Sequence, residues 1–257
     1  MSTSQFFISA WNFSPAVLLS GAAAIVWYLA VFGRDRRLGW FCAGIAVLWL
    51  TLLSPLNALA DGYLFSAHMA QHILLLLIAP ALLLLGLPRW PLPPWRMLDH
   101  PVMGWISGMG AMWFWHVPAL CNAAVASRPI HAVQTLSLLA LGSLFWRQIV
   151  FPRDGADGLS PVGAVIYLFG ACLTCSLLGI IVTLSPVAVC SIYTMPPADH
   201  LAMAQTIRNG WGITPALDQQ IGGLLMWVPM CLVYLCAIFA QAVRWFAEPG
   251  STLKRPS

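Results

Sequence analysis

The chain has 257 residues, 60% of them hydrophobic and 8% charged, with a formal net charge of +4. An ordinary soluble domain is roughly one quarter charged, so this composition excludes a soluble globular protein and marks an integral membrane protein. The basic excess sits at the ends of apolar blocks, where it reports topology, and nucleic acid need not be invoked as a partner.

Seven apolar blocks follow in chain order, each near the ~20 residues a helix needs to cross a ~30 Å hydrocarbon core. They lie at approximately 14–33, 38–55, 64–86, 102–120, 131–150, 161–184 and 219–246. Alternating strands of the outer-membrane barrel type are absent. The expected fold is all-α: a polytopic membrane protein of seven transmembrane helices, one domain over 1–257, with a long outer loop at about 185–218. The first block lacks a basic leader and ends in Arg34, Arg36 and Arg37, so it reads as a retained helix and not as a cleaved signal peptide. An N-terminus outside and a C-terminus in the cytoplasm puts Arg34, Arg36, Arg37, Arg89, Arg96, Arg147, Arg153, Arg244, Lys254 and Arg255 inside. Only Arg128 and Arg208 then lie outside, as the positive-inside rule requires. Trp11, Trp40, Trp90, Trp146 and Trp245 fall at block ends, where interfacial anchors belong.

The third block opens with HMAQHILLLL, and its His68 and His72 share one helical face because they are four residues apart. On the expected topology both lie in the outer half of that helix. The fourth helix runs back outward and ends near His116 in WFWHVPAL; His131 opens the fifth; His200 lies in the outer loop; His100 alone is cytoplasmic. At ~1.5 Å per residue, His68, His72 and His116 lie ~6–12 Å below the outer surface, with His131 near its edge. The seventh helix repeats Gln219, Gly223, Met226 and Met230 at 4-3-4 spacing, and Gly222 and Gly223 admit a close neighbour.

Unpaired polar groups in hydrocarbon each cost several kcal/mol. A metal shared among imidazoles removes that cost, and a combined His and Met donor set suits copper, particularly Cu(I), better than calcium or magnesium. The candidate ligands are His68, His72, His116, His131 and Met226, with Met69 and Met230 beside them. Gln71, Gln134, Thr135 and Gln219 are candidate partners for the ring tautomers, and Asp218 is a nearby acid. Met195, His200 and Met203 of the outer loop are exchangeable donors for transfer. Each of these has a plainer reading: one histidine near an interface is more often a packing residue, and buried Met fills cores. The weight comes from three helices that place histidine on the same side.

Seven cysteines form no recognisable disulfide framework. Cys121 and Cys190 both fall near the outer surface, and the sequence leaves their pairing open. Cys172 and Cys175 form a CxxC in the middle of the sixth block, where they read as small buried thiols.

Four segments carry a family resemblance: SAHMAQHILLLLIAPALLLLGLP at 66–88, WFWHVPAL at 113–120, His131 with the Phe-Trp pair at 145–146, and DQQIGGLLMWVP at 218–229. Together they resemble the multi-spanning CtaG factors for cytochrome c oxidase assembly, first associated with caa-type oxidases, and not the single-span copper chaperone that shares the name. The resemblance implies a non-enzymatic role in maturing a haem-copper oxidase, with copper supplied or placed from the outer side of a bacterial inner membrane. It implies an oxidase subunit, copper ion and the lipid bilayer as partners. It carries His68, His72, His116, His131, Asp218, Gln219 and Met226 as motif residues.

Two other readings remain open at this point. A b-type cytochrome would use His72 with His116 or His131 as axial ligands, although no second histidine pair lies toward the cytoplasm. A zinc-dependent intramembrane hydrolase would need a carboxylate from Asp61, Asp199 or Asp218, and HExxH is absent. A transporter also fits seven helices, but no cytoplasmic half-site matches the outer one.

Overall fold

The structure is a computed structural model that describes residues 3–88, 100–152, 158–194 and 203–247. Its described elements are helical, with no strand among them. A short α1 (Thr3–Ser9) precedes α2 (Pro15–Phe32) and α3 (Leu38–Leu53), and the single-turn-and-a-half α4 (Pro55–Ala60) leads into α5 (Phe65–Ile73). A π-turn over Leu74–Ile78 joins α5 to α6 (Ala79–Gly86), so that Phe65–Gly86 forms one rod. Then come α7 (Pro101–Trp115), α8 (Pro118–Ala126), α9 (Arg128–Val150), α10 (Pro161–Leu184) and α11 (Pro215–Ala247).

Proline sets most of the helix starts. Pro15, Pro55, Pro101, Pro118, Pro161 and Pro215 each begin a helix, where the missing N–H has no partner to lose and φ is already helical. Ser54, His100 and Ser160 add side-chain caps to α4, α7 and α10. Inside the third rod Pro80 has no N–H to return to the preceding turn, and the backbone widens into the π-turn just before it. The Leu76 carbonyl of that turn faces Gly142 of α9, where a Cβ would collide with it; glycine therefore lets the two backbones meet.

Among the described residues, five stretches are long and apolar enough to cross a membrane: α2, the Phe65–Gly86 rod, α9, α10 and α11. The remaining two expected spans are shorter in the structure. α3 has 16 residues, and the block expected over 102–120 divides into α7, ending at Trp115, and a separate α8. Pro118 causes that division, because the residue before a proline is driven out of the helical region, and Val117 is extended at φ −61°, ψ 125°.

The main core joins α2, α3, the third rod, α7, α9, α10 and α11, from Tyr28 to Tyr234. A smaller cluster of Phe6, Ala60, Tyr63, Leu64, Ala67, Met203 and Ile207 closes the end at which the histidines lie. α11 packs along α10 through Gly223 and Gly179 and reaches α5 through Gly222, whose absent side chain leaves room for Phe65 and Met69.

Candidate metal centre

Four histidines from three segments meet at one end of the bundle. His68 and His72 project from one face of α5, with ring centroids 4.5 Å apart. His116, at the end of α7, stands edge-on to His72 at 5.1 Å. His131, in the first turns of α9, is 6.0 Å from His68. His68, His72 and His116 are buried, whereas the His131 side chain is 20% exposed and forms the rim.

The end of α7 explains the orientation of His116. Its backbone N–H turns to the Trp113 carbonyl, which leaves the Met112 carbonyl without the usual i−4 donor. The imidazole takes that place: His116 Nδ1 donates to Met112 O at 2.6 Å. A carbonyl only accepts, so Nδ1 carries the proton and Nε2 keeps its lone pair. Nε2 faces Met69 Sδ at 3.0 Å, so two electron-pair donors point at one another.

His68 and His72 are more unusual. Both nitrogens of both rings are buried without a hydrogen-bond partner. Each such group costs about 1–3 kcal/mol if nothing satisfies it. Gln134 of α9 is buried and lies against His72 but closes no hydrogen bond of ordinary geometry with it.

The other residues singled out from the sequence do different work. Gln71 turns away from the rings and donates to Thr51 O at 3.1 Å and Asn57 Oδ1 at 3.0 Å, tying α5 to α3 and α4. Gln219 accepts from Val189 N–H and donates to the carbonyls of Val182, Ser185 and Val187, which pins the segment after α10 to α11. Neither glutamine hydrogen-bonds an imidazole, because each amide is claimed by a helix end whose backbone would otherwise be orphaned. Asp218 caps α5: its carboxylate accepts from Phe65 N–H at 2.7 Å, Ser66 N–H at 3.0 Å and Ser66 Oγ at 2.6 Å. Met226 and Met230 are fully buried along α11. Met203 is fully buried in the small cluster, while Met195 and His200 lie outside the described residues.

Tyr193 and Asn122 give no signal in the sequence, whereas Cys190 and Asp61 are open candidates whose partners the structure supplies. Tyr193 lies over His68 with ring centroids 6.0 Å apart, and its hydroxyl donates to Ala60 O at 2.5 Å. Burial pushes its phenol well above the ordinary range, and Asp61 and Asp218 add to that. Cys190 forms a disulfide with Cys121 of α8. Asn122, next to Cys121, accepts from Ile192 N–H at 2.9 Å and Gln219 from Val189 N–H, so the strap around Cys190 is held on both sides of the disulfide. Asp61 Oδ1 lies 3.3 Å from His131 Nδ1. Burial raises the Asp61 carboxyl above its ordinary range, with His131, Asn57 and Arg128 each pulling it partly back.

The rings pack side by side, and among the described residues no group of three or more His, Cys, Asp or Glu stands ready to hold a metal ion. The donor set that does come together is imidazole and thioether, on facing helices.

The fold and this histidine end define a helical membrane protein, and comparison with known proteins supplies its class. The sequence model for cytochrome c oxidase caa3 assembly factors, Caa3_CtaG, matches residues 19–248. The chain therefore belongs to the cytochrome c oxidase caa3 assembly factor family. An uncharacterized protein of Mycobacterium leprae is 26% identical over 93% of this chain. Uncharacterized proteins of Mycobacterium bovis and Mycobacterium tuberculosis are 23% identical over 96% of it. The chain spans about two fifths of the length of these curated relatives, 40% to 41%. No solved structure matches.

Proposed function

We propose that the chain serves oxidase assembly by holding Cu(I) among His68, His72, His116 and Met69, with His131 at the rim, and by passing the ion to an oxidase subunit. The observation that carries this reading is the set of buried, unpartnered nitrogens on His68 and His72 beside the bare Nε2 of His116 and the Met69 sulfur. Neutral imidazole and thioether are soft to intermediate donors, and such a set favours Cu(I) over oxygen-seeking cations. Binding would satisfy lone pairs that burial otherwise penalises. His131, half-buried and next to Asp61, is the donor best placed for exchange with a partner. Met226 and Met230 are fully buried on α11.

Orientation belongs to the same proposal. The histidine end carries the disulfide, which is at home in an oxidising compartment. It also carries Arg128 and Arg208, while Arg34, Arg36, Arg37, Arg147 and Arg244 sit toward the other end or its connections. Counting α3 and α7 as short spans gives seven crossings, and this proposed topology would have the histidines at the outer face of the inner membrane.

The rival readings fare less well on the same geometry. His72 and His116, one of the axial pairs that a b-type cytochrome would use, pack at 5.1 Å and leave no slot for a porphyrin between them. Asp218 spends both oxygens on the α5 cap, and Asp61 faces His131, so neither of these acids is free to position a hydrolytic water.

Anaerobic titration of the purified protein with Cu(I), against a chromophoric chelator, tests the proposal. We expect an ion whose affinity falls at least tenfold in His72→Ala and in His116→Ala. Unchanged affinity in both variants would end the assignment. A Soret band of defined stoichiometry in the untreated protein would turn it toward haem.

A further inference from the structure

The thiols of α10 do not belong to the histidine end, yet sulfur leads from one to the other. On α7, His116, Met112 and Met109 are spaced four and three residues apart and so share a face. Met112 and Met109 are 0% and 2% exposed. On α11, Met226, Met230 and Tyr234 recur every four residues and are fully buried. Between these two stripes α10 inserts Cys175, also fully buried. Its Sγ lies 3.8 Å from Met109 Sδ and 3.9 Å from Tyr234 Oη. Cys231 adjoins, with its Sγ 3.1 Å from Ser176 Oγ and donating to Cys172 O at 3.7 Å. Seven residues of helix separate Met109 from His116, about 10 Å.

We infer that Cys175, with Met109, forms a second and deeper Cu(I) site on a sulfur-lined seam that descends from the histidine layer. The inference rests on the copper reading of that layer. Electrostatics favours this order of donors. A cation bound by neutral imidazoles keeps its full charge and is tolerable only near the membrane surface. At a thiol the cation replaces a proton: the S–H bond of Cys175 breaks, an S–Cu bond forms, and the proton is released to bulk solution. Copper stays Cu(I), no electron moves, and the site is neutral before and after. No net charge is left in the hydrocarbon, which removes the main cost of burying an ion there.

The test uses the full chain in detergent, titrated anaerobically with Cu(I) in weak buffer, with proton release and copper-edge X-ray absorption as readouts. Two ions should bind per chain, one of them releasing one proton. Cys175→Ser should reduce this to one ion and remove the proton release. Met109→Leu, which conserves volume, should weaken the proton-releasing ion at least tenfold and lower sulfur scattering. Two ions and undiminished proton release in Cys175→Ser would overturn the inference. So would a single wild-type ion that releases no proton. The two readings separate cleanly: His72→Ala and His116→Ala should spare the proton-releasing ion, and Cys175→Ser should spare the other. Wild-type protein that binds no Cu(I) overturns both.

Discussion

Asp218 lies 153 residues from the backbone amide of Phe65 that it caps. Leu64, at the local N-cap position of α5, has no side-chain acceptor, so the first N–H groups of that helix need an acid from elsewhere. The same carboxylate also benefits from the partial positive charge of the helix N-terminus. Hydrogen bonds to charged groups contribute about 1.5–3 kcal/mol each. Asp218→Ala, which strands two amides and a hydroxyl, is expected to cost about 3–5 kcal/mol, while Asp218→Asn, which keeps an acceptor, should cost about half as much. Equilibrium unfolding in mixed micelles measures both; equal stability of Asp218→Ala and wild type would refute the cap. His68 and His72 ride on this helix, so the substitution should also weaken Cu(I) binding without touching a proposed ligand.

Elements meet where side chains are missing. Gly142 brings α9 against the π-turn carbonyl of Leu76, and a methyl group there would overlap backbone that cannot rotate aside. Gly142→Ala should therefore destabilise by about 1–3 kcal/mol through overpacking. Gly39→Ala on α3 is the control, since nothing lies within 4 Å of its added Cβ. It should be neutral or slightly stabilising, as alanine is the better helix former. Parallel melting of the two variants checks this, and similar midpoints would show that the crossing tolerates a side chain. The HxxxH pair and the glycines of α11 were readable from periodicity alone, because helical spacing is a local property. The break after Trp115 is not legible in the same way, because the apolar run continues past Pro118 and hydropathy masks the stop.

At the scale of the molecule, the strap over the histidine end is fastened from several directions. The Cys121–Cys190 disulfide closes a separation of 69 residues. Tyr193 reaches Ala60, and Arg208 donates to the Tyr193 carbonyl at 2.7 Å. On the chain-entropy account a loop of this size is worth about 4 kcal/mol, with measured values typically about 2–4. Cys190→Ser is expected to lose about 2–4 kcal/mol and to raise amide hydrogen exchange in residues 187–194 selectively. Exchange there that matches wild type would show that the polar contacts alone hold the strap. Loss of the strap should also speed exchange of the proposed Cu(I), since the Tyr193 ring packs 6.0 Å from that of His68.

Composition, the spacing of apolar blocks and the i, i+4 repeat are carried by neighbours in the chain, and these alone determined a helical membrane protein with histidines gathered at one end. The family resemblance rested instead on four particular segments, at 66–88, 113–120, His131 with 145–146, and 218–229. What tertiary structure decided is pairing across distance: which amides Asp218 and Gln219 satisfy, that Gln71 faces α3 and not the imidazoles, that Cys121 joins Cys190, and that Met69 meets His116. Those outcomes depend on how rods from remote parts of the chain settle against one another, and a one-dimensional pattern holds no record of it.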